Sequence, residues 1–82
     1  IEVTVTDDGR IFVEDALLTE TTVAAIRAVL AEKRSQNPDI PLIVRADENA
    51  AHGLVVKVLD SAAAEGMERV GIATISAAEA RE

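Results

Sequence analysis

Cysteine, tryptophan and tyrosine are absent from these 82 residues, and Phe12 is the sole aromatic ring. The lack of cysteine excludes a disulfide scaffold, a thiol nucleophile and thiolate-bound zinc or iron–sulfur sites. A single aromatic leaves no stacking platform for bases or sugars. One histidine, His52, excludes any site built from several imidazoles. Positive charge is scarce too: 8 Lys and Arg stand against 15 Asp and Glu, a net charge of −7. Nucleic acid is therefore not an expected partner, because binding it requires clustered Lys and Arg to neutralise phosphates. No run approaches the ~20 continuous apolar residues that cross a bilayer, and nothing reads as a signal peptide.

What is present suits one small domain. The apolar fraction is 49%, ordinary for a globular chain and too high for a disordered one. Fifteen of those residues are alanine, so the core is thin and aliphatic. The alternating pattern is already running at Ile1. We read the chain as a piece of a longer protein, with any anchor or export signal upstream.

Ile1-Glu-Val-Thr-Val5 alternates strictly and is β-branched, which predicts a half-buried strand. Asp8-Gly9 then signals a hairpin, and Ile11-Phe12-Val13 is the return strand. Glu14-Asp15 reads as a second turn leading into Ala16-Leu17-Leu18. Thr19 is the expected N-cap of a helix running to about Arg34, with Glu20 in its first turn. Val23, Ile26, Val29 and Leu30 form its apolar face, and Lys33 and Arg34 suit its negative C-terminal end. Ile40 to Ala46 is a near-continuous apolar run, as expected of a strand covered on both faces or internal to a sheet. A second helix spans 51 to 65, with Val55, Val58, Leu59 and Ala62 inward and Gly66 as its left-handed stop. A last strand covers 69 to 74, and the Ala/Glu-rich tail from 76 to 82 reads as frayed.

The expected fold is α+β: a β-β-α-β-α-β domain over residues 1–75, with a mixed sheet and two helices packed on one face. The strands flanking the second helix should be parallel, with a right-handed crossover.

Chemistry is thinly represented. His52 beside Asp47 and Glu48 could begin a catalytic or metal constellation, but a nucleophile and oxyanion donors are missing. It reads as a residue at the start of a helix. Asp7 and Asp8 read as turn residues, since a calcium loop needs more oxygen ligands at fixed spacing. The glycines are scattered and form no phosphate loop, and Ser61 lies in a helix without an elbow motif. Arg45 has two readings. It could pair with Asp47 to close the strand, or it could dock a ligand at the carboxyl end of a parallel strand. The residues expected to meet a partner are Arg45, Asp47 and His52. No catalytic, cofactor or metal site is expected, and the chain does not read as an enzyme.

The second half carries a resemblance. Leu42-Ile43-Val44-Arg45-Ala46-Asp47, then Gly53, Val55-Val56-Lys57-Val58-Leu59-Asp60, Ala64-Glu65-Gly66 and Val70-Gly71-Ile72-Ala73 resembles the periplasmic domain of the ExbD/TolR family. The first half, with its alternating strand, Gly-containing turn, Phe12-Val13 and Thr-capped helix, is similar to the family's opening. His52 departs from the tyrosine common there. The resemblance implies a periplasmic domain on a single-pass inner-membrane protein of a bacterium. The proton-carrying aspartate would lie in the upstream membrane helix. It implies an ExbB- or TolQ-like ring protein around that helix, a TonB- or TolA-like partner, peptidoglycan contact in TolR-type members, and a homodimer. The ExbD-like role is to pass protonmotive force to a TonB-type partner and energise outer-membrane transport. The TolR-like alternative serves the Tol-Pal envelope system. A reading from another class is a soluble α/β adaptor or regulatory domain binding a small ligand near Arg45 and Asp47. An exposed sheet edge is expected to accept an extended partner segment or the chain's own copy.

Overall fold

The computed structural model describes residues 1–75. The expected tail from 76 to 82 lies outside the described residues.

The opening alternation forms β1 (Glu2–Val5), with Val3 and Val5 fully buried and Glu2 and Thr4 on the opposite face. The turn that follows closes through Thr6 N–H donating to the Arg10 carbonyl at 2.9 Å. Gly9 sits there at φ 85°, a conformation that favours glycine. β2 (Ile11–Val13) returns antiparallel, with Val3 opposite Val13 and Val5 opposite Ile11. Glu14 and Asp15 form the second turn, as expected, but Ala16–Leu17 then pair with β2 as a short strand, β3. The sheet therefore has five strands rather than four. Nothing in a two-residue stretch of Ala and Leu announces a strand by periodicity. It forms because the Glu14 turn, at φ 56°, folds it back along β2.

That extra strand delays the first helix. α1 runs over Val23–Gln36, and its N-cap is Thr22, whose Oγ1 accepts from Ala25 N–H at 3.1 Å. The expected cap at Thr19 is corrected by three residues, and Glu20 falls outside the first turn. Ile26 and Leu30 are buried, Val23 and Val29 partly so, and Lys33 and Arg34 occupy the last turn. β4 (Leu42–Asp47) lies between β1 and β5, parallel to both. Its buried residues alternate with exposed ones, so it is internal to the sheet but covered on one face only. α2 (His52–Ala64) buries Val58, Ser61 and Ala62. Gly66 follows at φ 74°, and Met67 N–H donates back to the Ala62 carbonyl at 3.0 Å, ending the helix as expected. β5 (Val70–Ile75) completes the strand order β3-β2-β1-β4-β5.

The core joins one face of the sheet to both helices. Val3, Val5, Ile11, Val13, Leu42, Val44 and Ala46 pack with Ile26, Leu30, Val58 and Ala62. The helices therefore share one side, and the other face of the sheet is left uncovered, as the sequence predicts. This is the α+β fold with a mixed sheet. Ser61 was not expected inside. Its position three residues after Val58 places it on the apolar face, where its hydroxyl donates to the Lys57 carbonyl at 2.6 Å and lies 3.4 Å from the Val23 carbonyl of α1. Among the described residues no buried side-chain polar atom lacks a partner.

Candidate partner-binding surface

β5 is built unlike the other strands. Leu42 N–H donates to the Arg69 carbonyl, and Ile43 N–H donates to the Ile1 carbonyl, both at 2.8 Å. Main-chain groups alternate sides along a strand. Leu42, Val44 and Ala46 therefore turn their N–H and C=O toward β5, while Ile43 and Arg45 turn theirs toward β1. By the same alternation Gly71 and Ala73 of β5 face β4, and Val70, Ile72 and Thr74 direct their main chain outward. Among the described residues no strand pairs with that outer edge.

The outward-facing residues also carry exposed aliphatic side chains. The register sets Val70 beside Leu42 and Ile72 beside Val44, on the helix side of the sheet. Leu42 and Val44 are fully buried there, yet Val70 is 37% exposed and Ile72 57%. The helices roof β1, β2 and β4 and stop short of β5. In α2, Ser61 approaches α1, and Leu59 lies about 200° around the helix from it. Leu59 and Val55, both partly buried, thus form the flank turned away from α1. On the uncovered face of the sheet Leu17 is 51% exposed and Ile43 46%, with Phe12 and Thr4 partly exposed between them. An edge of outward N–H and C=O groups with aliphatics at alternate positions is a template for an added strand.

The three residues singled out from sequence fall elsewhere. Arg45 projects on the uncovered face and pairs with Glu2 of β1, Nη1 to Oε1 at 3.1 Å, not with Asp47. Thr4 stands beside Arg45 in the ladder, and Glu2 is two positions away on the same face of β1. The reach of arginine favours that cross-strand partner. Asp47 instead shapes the turn after β4: its Oδ1 accepts from Asn49 N–H at 2.8 Å and its carbonyl from Ala50 N–H at 2.9 Å. His52 is the exposed first residue of α2. Asp47 and His52 share the end of the sheet where β4 stops. Val70 and Ile72 were read from sequence only as strand residues. Their alternation with Gly71 and Ala73 was the available signal of a strand lacking bulk on one face.

Two other features are structural. At the first hairpin the Thr6 hydroxyl donates to Asp8 Oδ1, and Arg10 Nε lies 3.3 Å from Asp8 Oδ2. That hydrogen bond first, and the Arg10 charge with it, hold the Asp8 carboxyl below its ordinary value. A cavity of about 210 Å³ lies where the helices end, lined by Arg34, Asp39, Met67, Glu68 and Arg69 among others. Among the described residues there is no metal-ligating cluster, and no helix is long and apolar enough to cross a membrane.

Comparison with known proteins agrees with the resemblance read from the strands and helices. A family model described as "Biopolymer transport protein ExbD/TolR" matches residues 1–77. The chain is 35% identical over 54 residues to "Biopolymer transport protein exbD2" of Vibrio cholerae serotype O1. That match covers 66% of this chain and 40% of the relative, so the chain spans well under half of the relative's length. With nearly every residue inside the family match, the chain belongs to the ExbD/TolR family.

Proposed function

We propose that this is the periplasmic domain of an ExbD-type subunit, held in a bacterial inner membrane by a helix upstream of Ile1 inside an ExbB-type ring. It passes on the energy of the protonmotive force by binding an extended segment of a TonB-type partner along β5. The observation that carries this reading is the outer edge of β5, where the main chain of Val70, Ile72 and Thr74 faces outward beside exposed aliphatic side chains. The exbD2 name of the Vibrio relative supports the ExbD branch over the TolR branch. A net charge of −7 favours encounter with a basic segment. Arg45, on the uncovered face, and Asp47 and His52, at the end of β4, form a second contact region for the same partner. The domain performs no chemistry of its own in this reading.

A titration of the isotope-labelled chain, read residue by residue in NMR spectra, tests it. The ligands are periplasmic segments of TonB-type and TolA-type proteins and peptidoglycan fragments. The TonB-type segment should move the amides of Val70, Ile72 and Thr74 and the methyl groups of Leu59. Shifts with the TolA segment or peptidoglycan alone would replace the ExbD reading with the TolR one. Silence with all three would overturn both and favour the adaptor.

A further inference from the structure

We infer that β5 is a detachable strand, which unzips from β4 while the rest of the domain stays folded. Among the described residues none of the fully or nearly buried core side chains belongs to it: that core is drawn from β1, β2, α1, β4 and α2. Every described side chain from Glu68 to Thr74 is exposed. Over 70–74 the strand is therefore held mainly by its ladder to β4, with apolar contact limited to the covered parts of Val70 and Ile72. A backbone hydrogen bond contributes little net free energy in water, and strands with few buried side chains belong to the low-stability end of a domain.

The chain just before β5 is, by contrast, tied down. Glu65 is gripped twice by α1: Arg27 Nε lies 3.0 Å from its Oε2, and Arg34 donates to its carbonyl. Met67 packs against the core and donates its N–H to the Ala62 carbonyl. The grip ends at Met67 and the exposed run begins at Glu68, so the pivot lies between them. Release leaves α2 and the core in place. It exposes one new feature, the outer edge of β4, where the N–H and C=O groups of Leu42, Val44 and Ala46 lose their partners. This inference concerns the domain alone and stands or falls without any partner.

Native-state amide hydrogen exchange on the 82-residue chain, under conditions where opening and closing outpace exchange, tests it within a single strand. Leu42 and Val44 bond toward β5, and Ile43 and Arg45 bond toward β1. If β5 detaches, the amides of Leu42, Val44, Gly71 and Ala73 exchange about 100-fold or more faster than those of Ile43 and Arg45. Equal protection at even and odd positions of β4 overturns the inference. A second arm identifies the moving strand. Ile43 and Gly71 are ladder partners on the uncovered face, and the chain holds no other cysteine, so Ile43→Cys with Gly71→Cys can form a single staple. Oxidation should abolish the alternation and reduction restore it. An alternation that persists in the oxidised form would mean that β5 release is not its cause.

Discussion

β1 and β5 flank β4 on opposite sides, both parallel to it, and both set β-branched aliphatics at alternate positions on the helix side of the sheet: Val3 and Val5 in β1, Val70 and Ile72 in β5. Their fates differ completely. Val3 and Val5 are fully buried, while on the same side of the sheet Val70 stays 37% exposed and Ile72 57%. Strand composition does not account for this, since isoleucine is the larger side chain. Position under the helix layer does. β1 is the middle strand of five and lies beneath α1 and α2, whereas β5 is an edge beyond their reach. An aliphatic residue in a strand is thus core or contact surface according to what roofs it.

The comparison can be broken first at the ladder between β4 and β5. Leu42→Ala removes a fully buried side chain and should cost ~2–5 kcal/mol in urea unfolding. Ile72→Ala, on the same side of the sheet, should cost less than about 1 kcal/mol because more than half of its surface is already in water. Comparable losses would mean that β5 is covered in solution. The roof itself is tested next. Thr22→Ala removes the α1 cap and should cost about 1 kcal/mol, while Thr19→Ala should change stability by no more than about 0.5 kcal/mol. The smallest effect on folding is expected from Ile72→Lys, within about 0.5 kcal/mol. The same substitution should weaken binding of a TonB-type segment about tenfold or more by calorimetry, a loss of ~1.4 kcal/mol. Unchanged binding would remove β5 from the contact.

Most of the architecture was legible. The two helices, the first hairpin, the parallel pair around α2 and the Gly66 stop follow from periodicity and from residues with one conformational use. The failures share one cause. Ala16–Leu17 is too short to show a period, and four residues from Thr19 to Thr22 include three threonines, any of which can cap a helix. Only the pairing of β3 with β2 decides that the helix waits for Thr22. The Arg45–Asp47 pairing failed for a related reason. Sequence proximity suggested a neighbour two positions away, but a parallel ladder brings Glu2 within 3.1 Å across the strands. The family was readable from the second half of the chain. A sheet edge was expected as the contact, but which edge carries exposed aliphatic side chains was not legible, because exposure is a property of the assembled layers.

By itself, the sequence determined the element types, the approximate ends of most elements, the inward face of each helix and the family. Those properties depend on local conformational preference and on the spacing of apolar residues along one segment. Tertiary structure alone decided that a third short strand would form, that Ser61 would be buried, that Arg45 would reach Glu2, and that Ile72 would stay in solvent. Each of these depends on which distant segments come to lie side by side. Pairing and coverage between segments are set by the packing of the whole chain, which no local pattern encodes.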